Sequence, residues 1–300
     1  MGSLVDKLTS RQLITPPPFF KNNIQYEVIM GSVAYGVSSD TSDMDIYGFC
    51  IPPKYIIFPH LNGEINGFGR KHERFDQWQQ HHIIDKSSRK EYDFSIYSIV
   101  KYFHLCMENN PNMIDSLFVP RRCILHSTQV GEHIREHRKD FLHKGSWHRF
   151  KGYAYSQVHK MNTKEPDKTS TRYAMIKQYG FDVKFAYHVV RLLNEVEQIM
   201  IEHDLDLQRN REQLKSIRNG EWTRQQITEY FEEKEKSLEE VYSKSDLPHS
   251  PDEENIKKIL LECLEMHYGS LEGTIKTNIS IDRILDEMSD YIQNIRMMNI

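Results

Sequence analysis

The sequence predicts an α+β protein: a short mixed sheet flanked by helices over residues 1–130, followed by an all-α module over residues 131–300. Three observations carry that expectation. Short apolar or alternating runs, which have the period of strands, are confined to the first hundred or so residues. Beyond about Gly131 the helical period dominates. A chain of 300 residues also exceeds the usual size of one compact domain.

In chain order, a polar start and the rigid Pro16-Pro17-Pro18 lead into Tyr26 to Met30. That run is short, apolar and partly β-branched and stops at Gly31-Ser32, so it reads as a strand entering a turn. From Asp43 to Cys50 the residues alternate, with Asp43, Asp45 and Tyr47 on one face and Met44 and Ile46 on the other. The stretch His60 to Lys90 offers at most one or two weak strands, around Gln77 to Ile84. Near Asp93 the alternation returns through Phe94, Ser95 and Ile96, then gives way to helical spacing through Ile99, Phe103 and Met107, which Asn109-Asn110-Pro111 ends. Gly152–Met161, Asp182–His203, Thr223–Tyr242, Glu253–Tyr268 and Ser280–Met297 have helical spacing. Ser243 to Asp252, with Pro248 and Pro251, reads as an exposed loop, and Glu232–Glu240 as a solvated helix face. No internal repeat is visible.

Composition narrows the class. With 38% hydrophobic and 27% charged residues, a core can form without staples. Cys50, Cys106, Cys123 and Cys263 lie far apart with no CxxC pair, which argues against zinc and disulfides and for a reducing, cytoplasmic setting. No run of about 18 apolar residues occurs and the N-terminus lacks a signal core, so neither membrane spanning nor secretion is expected. Met1-Gly2-Ser3 has the look of a myristoylation start, but Asp6 stands where Ser or Thr is wanted. A formal net charge of −4 gives no global attraction to polyanions, so nucleic-acid contact would need a local basic patch. Lys144, Trp147, His148, Arg149, Phe150, Lys151 and Tyr153 form one candidate; a helix start packed on the core is the equal alternative.

The informative stretch is Gly31-Ser32-Val33-Ala34-Tyr35-Gly36, then Ser42-Asp43-Met44-Asp45-Ile46-Tyr47-Gly48. A Gly-Ser turn at a strand end frees backbone N–H groups and a hydroxyl to face a triphosphate, which makes Gly31, Ser32, Tyr35 and Gly36 nucleotide-binding candidates. Two aspartates at i and i+2 on a strand, Asp43 and Asp45, can chelate Mg²⁺ from one side. Two such ions can stabilise the attacking and leaving oxygens of an in-line displacement, which calls for a third carboxylate. Asp93 opens the next alternating segment and is the choice, with Glu91 on the same face as fallback. Each element alone has an ordinary explanation, since Gly-Ser ends many strands and a surface Asp-x-Asp is most often solvated. Their combination points to metal and nucleotide.

The helix Asp182–His203 adds a polar stripe. At about 100° per residue Lys184, His188, Arg191 and Glu195 align between two apolar faces, so the stripe is expected to line a cleft. Helical spacing alone favours a salt-bridged face using Glu195; set in a nucleotide site, Lys184 and Arg191 could instead neutralise a triphosphate or the departing pyrophosphate. His81 and His82, adjacent on a strand, would point to opposite faces and could not share a metal. No HExxH or paired Cys/His spacing occurs among the fifteen histidines.

These residues resemble the signature of the DNA polymerase β superfamily of nucleotidyltransferases: Gly-Ser, then Asp-x-Asp, then one more Asp. More narrowly, the chain resembles nucleotidyltransferases of an RNA-repair-pathway branch with bacterial and phage members. The likeness runs on through Asn109-Asn110-Pro111-Asn112, Leu117-Phe118, Phe141-Leu142, Gly152-Tyr153, Tyr179-Gly180-Phe181-Asp182-Val183-Lys184, His188, Arg191-Leu192-Leu193 and Arg218-Asn219-Gly220-Glu221, roughly residues 25 to 225. It implies a polymerase β-like nucleotidyltransferase domain with a helical module forming the other wall of its cleft. It also implies Gly31 and Ser32 on the nucleotide phosphates and Asp43, Asp45 and Asp93 as both catalytic and metal residues for two Mg²⁺ or Mn²⁺ ions, with Asp93 activating the acceptor hydroxyl. The implied reaction moves a nucleoside monophosphate from an NTP to that hydroxyl and releases pyrophosphate. RNA, at a 3′ end, is the expected acceptor. Its rivals are a Ser, Thr or Tyr hydroxyl of a protein, and a catalytically silent nucleotide-binding regulator.

Overall fold

The computed structural model describes residues 2–38, 43–58, 74–163 and 171–270. Residues through His267 form one compact unit. The expected helix Ser280–Met297 and Ser42 of the motif lie outside the described residues.

Among the described residues five strands form one mixed sheet: β1 (Ile24–Ile29), β2 (Met44–Cys50), β3 (Gln77–Asp85), β4 (Lys90–Ser98) and β5 (Ile124–Ser127), in the order β3-β4-β2-β1-β5. β2 and β4 run parallel, while β1–β2, β1–β5 and β3–β4 are antiparallel. All six residues of β1 are buried, Gln25 and Glu27 among them, as befits a strand covered on both faces. The strand expected around Gln77 to Ile84 is present, and β5 is an addition to what spacing reveals.

Twelve helices accompany the sheet among the described residues. The first, α1 (Leu4–Ser10), occupies the stretch expected to be only a polar start; Ser3 caps it and Val5 and Leu8 bury its apolar side. Two single turns, α2 (Gly31–Ala34) and α3 (Lys54–Ile57), follow β1 and β2. α4 (Ile99–Met107) begins at a Ser98 cap and gives way to Asn109, which takes a left-handed φ of 50°. Asn110 then caps α5 (Pro111–Phe118), with Pro at its first position, so Asn109-Asn110-Pro111 ends one helix and opens another.

The remaining helices are α6 (Gln129–Glu136), α7 (Gly145–Thr163), α8 (Thr171–Tyr179), α9 (Val183–Glu202), α10 (Arg211–Arg218), α11 (Arg224–Lys244) and α12 (Glu253–Tyr268). α9 lies at their centre, packed on α7, α8, α10 and α11. Its start is fixed by Asp182, whose side chain accepts from the N–H of Lys184 and Phe185, and its end by His203 in the left-handed region. No helix among the described residues is long and apolar enough to cross a membrane.

One buried carboxylate joins α1 to the sheet. Glu27, enclosed within β1, accepts from the N–H of Leu4 at 2.5 Å and of Val5 at 2.9 Å. Burial pushes its pKa up to about 7 from an ordinary 4.5, against the two hydrogen bonds. The folded chain therefore holds this proton more tightly than the unfolded chain. Its stabilising effect is complete below about pH 4.5 and is lost as pH rises to about 7. Urea unfolding at pH 5 and pH 7.5 should show the wild type losing about 2–3 kcal/mol more than Glu27→Gln over that interval, at ~1.4 kcal/mol per unit. Equal losses would mean that Glu27 is ionised throughout.

Candidate active site

The parallel register of β2 and β4 sets Asp45 directly opposite Asp93. Side chains at paired positions of neighbouring strands share a face, so the two carboxylates stand side by side. Glu91 shares that face two residues earlier, where its strand neighbour is Ile84 of β3. Asp43 is exposed just ahead of β2.

Above Asp45 the chain leaving β1 turns sharply. Met30 donates its N–H to the Asp45 carbonyl at 2.7 Å, and Gly31 follows with φ +64°. A Cβ on Gly31 would lie 2.2 Å from Asp45 Oδ2. Glycine is required twice here, for the left-handed turn and for the approach of backbone to carboxylate. Gly31, Tyr35, Asp45 and His188 line a single cleft of about 120 Å³ with Met30, Tyr47 and Asn112. Ser32 and Gly36 sit in the adjoining turn, where the Ser32 carbonyl accepts from Val37 and Gly36 takes φ +71°. Gln208 braces that turn by donating to the Ala34 carbonyl at 2.8 Å.

Burial raises the pKa of Asp45; Lys184 and His81 oppose the rise, while Asp93 and Asp43 add to it. Like charges gathered in a partly dry cleft disfavour one another, and a cation relieves the conflict. Among the described residues no three His, Cys, Asp or Glu side chains already close into a ligand group. The hard oxygen pair of Asp45 and Asp93 nevertheless suits Mg²⁺ or Mn²⁺, because Mg²⁺ sites commonly use one or two carboxylates and complete the shell with water and substrate phosphate.

The expectation that His81 and His82 face opposite ways is corrected. β3 carries a bulge between Gln80 and Ile83, with His82 at φ 56°, and an inserted residue breaks the alternation. The His82 N–H donates to Asp93 Oδ1 at 2.7 Å, and His81 Nδ1 lies 3.6 Å from the same oxygen. The His82 ring meets Glu91 at 2.7 Å. Both rings thus reach acids on one face of β4.

The stripe on α9 divides by depth. Lys184, exposed near its start, acts on Asp45, and His188 reaches the cleft. Burial drives the His188 pKa well down, helped by the charges of Arg191, Lys184, Arg172 and Arg218, so the imidazole is neutral in a positive field. Arg191 is only 4% exposed and bonds Asp115 and Glu195, with its guanidinium 4.3 Å from the centre of the Tyr35 ring. Tyr35 in turn donates its hydroxyl to Asp115 at 2.8 Å. Arg191 and the Tyr35 hydroxyl are therefore spent inside the protein.

Three residues that sequence reasoning did not single out belong here. Asn112 lines the cleft, brought there by the Asn110 cap of α5. Arg172 stacks on Phe185 at 4.7 Å, and Arg218 stacks on Tyr187 while donating to the Val37 carbonyl. Their only sequence signal is membership of the blocks Asn109 to Asn112 and Arg218 to Glu221; Arg172 has none.

The sequence matches the RNA repair pathway DNA polymerase beta family, RlaP, over residues 10–262. No curated protein gives a significant match. Among solved structures, a nucleotidyltransferase-like protein from Exiguobacterium sibiricum 255-15 aligns over 97% of this chain and 90% of that chain, at 8% identity and a TM-score of 0.28.

Proposed function

Because the chain belongs to the RNA repair pathway DNA polymerase beta family, and so to the polymerase β-like nucleotidyltransferases, we propose that it transfers a nucleoside monophosphate from an NTP to an RNA 3′ hydroxyl. The observation that carries this reading is the pairing of Asp45 with Asp93 beneath Gly31. The acceptor oxygen forms a bond to the α-phosphorus; the bond from that phosphorus to the bridging oxygen breaks, and its electron pair leaves with pyrophosphate. The acceptor's proton goes to Asp93, whose Oδ1 is anchored by the His82 N–H.

Asp43, Asp45 and Asp93 would hold the two Mg²⁺ or Mn²⁺ ions, whose chemistry is charge neutralisation at the attacking and leaving oxygens. Backbone N–H groups at Gly31 and Ser32 face the phosphates, and the positive field of Lys184, Arg172 and Arg218 around His188 draws the triphosphate to the opposite wall. In this reading residues 1–130 supply the carboxylates and the helices α8, α9 and α10 of the second module supply that wall. Lys184→Ala should raise KM for NTP about tenfold, or ~1.4 kcal/mol, without lowering the melting temperature, since the side chain is exposed. Steady-state titration of NTP checks it.

The reading is tested with purified protein, Mg²⁺ or Mn²⁺, each α-phosphate-labelled NTP, and total cellular RNA and protein, beside an Asp43→Ala/Asp45→Ala control. Label on RNA that disappears in the control is the expected result. Label on protein would replace RNA with a protein hydroxyl as acceptor. No label despite intact NTP binding would leave a nucleotide-binding regulator.

A further inference from the structure

α7 carries a glycine in its interior for which packing gives no reason. Gly152 lies midway along a 19-residue helix, where glycine costs roughly 0.5–1 kcal/mol relative to alanine. Such a residue usually permits a close approach. Here a Cβ would meet nothing within 4 Å, and no left-handed φ is involved. What the missing side chain leaves open is a groove of about 500 Å³ along α7, lined by His148, Arg149, Tyr153, Gln157 and Lys160 and, among the described residues, by no acid. Among the described residues Lys160 has no ion-pair partner, and Arg149 pairs with Glu108 alone.

The groove leads toward the carboxylates. Tyr153 accepts at its hydroxyl from Asn110, the residue that caps the helix carrying Asn112 into the cleft. The sheet row next to Asp45 and Asp93 pairs Tyr47 with Ser95, and the Tyr97 ring lies 6.4 Å from that of Tyr47. Gln79, exposed on β3, donates to Ser95 at 3.2 Å. Tyrosine rings and neutral amides therefore line the way from the Asp45–Asp93 pair to a groove bearing two cations.

We propose that the groove over Gly152 binds an unpaired RNA strand, whose 3′ end crosses the Tyr47–Tyr97 row to reach Asp93. Stacking rings and amides suit unpaired bases, and Arg149 and Lys160 suit phosphates. Against the chain's net charge of −4, a lining that carries two cations and, among the described residues, no acid is distinctive. The role of the strand as acceptor rests on the transfer reading above; its binding does not.

The test is fluorescence anisotropy with the full chain and a 5′-labelled, unpaired oligoribonucleotide of about ten nucleotides, without NTP and over a range of salt. Gly152→Trp fills the groove from a helix position with free space around it and should weaken binding about tenfold or more. Arg149→Gln/Lys160→Gln should weaken it comparably and flatten the slope of log K against log salt by about 1.4, at ~0.7 for each lost phosphate contact. Gly152→Ala, which favours the helix and barely enters the groove, should bind as the wild type does. All three should keep wild-type Mg²⁺-NTP binding. Unchanged RNA affinity in the first two variants, equal losses in Gly152→Ala and Gly152→Trp, or no RNA binding by the wild type would overturn the inference. RNA affinity that depends on the groove without any nucleotidyl transfer would instead overturn the transfer reading and leave the groove standing. Transfer to RNA at wild-type kcat/KM in the groove variants would do the reverse.

Discussion

Asp45→Asn is expected to lower kcat for nucleotidyl transfer by about 10³-fold or more, the order lost when one member of a preorganised electrostatic set is removed. It should do so without lowering the melting temperature. Asparagine keeps the shape, and burial together with Asp93 and Asp43 already disfavours the Asp45 charge, so the amide relieves a strain that the carboxylate sustains for function. Activity and stability should therefore move in opposite directions. Gly31→Ala attacks the same carboxylate from the other side. Its Cβ falls 2.2 Å from Asp45 Oδ2, and its φ of +64° costs a non-glycine residue about 1–2 kcal/mol. This variant should lose both activity and stability, and adding it to Asp45→Asn should lower kcat little further, because both act through one group. An Asp45→Asn protein with kcat near wild type would remove this carboxylate from the reaction.

The difference between what was legible and what was not follows from the range of the interactions. β2 and β4 were legible because alternation is local, and each strand carries its own record of which face is buried. The register that sets Asp93, and not Glu91, opposite Asp45 is a long-range fact that no local period contains. The bulge at His81-His82 was hidden for the same reason: its cause is the pairing with β4, where Asp93 accepts from the His82 N–H. α1 was missed because seven residues carry little periodicity of their own, and its anchor, Glu27, lies 22 and 23 residues away from the amides it holds. On α9 the period correctly aligns Lys184, His188, Arg191 and Glu195, since angle is a local property. Depth is not local. Asp115, 76 residues before Arg191, decides that the stripe sinks into the protein after His188.

That buried half of the stripe sets the second large expectation. Arg191→Ala should destabilise the fold by about 3–5 kcal/mol, the usual cost of breaking a buried ion pair from one side. Arg191 faces Asp115 at 2.5 Å and Glu195 at 2.8 and 3.0 Å, and all three are essentially enclosed. Arg191 Nε and Asp115 Oδ1 have no hydrogen-bond partner among the described residues, so the cluster has little reserve. Burial raises the pKa of both carboxyls, and Arg191 is what holds them down. Without it both rise further, the folded state binds more protons than the unfolded state, and stability falls as pH increases. The deficit measured by urea unfolding should therefore be smaller at pH 5 than at pH 8. A side chain that merely touched a triphosphate would give the opposite pattern: a raised KM for NTP, an unchanged melting temperature and no such pH dependence. Arg191→Met/Asp115→Asn/Glu195→Gln removes all three charges together and should recover much of the lost stability. Because Tyr35 ties this cluster to the Gly31 turn, kcat in the triple variant separates support from position. Recovery of stability with kcat still depressed would mean that the ion cluster holds the turn in place against α9, and recovery of both would confine it to stability alone.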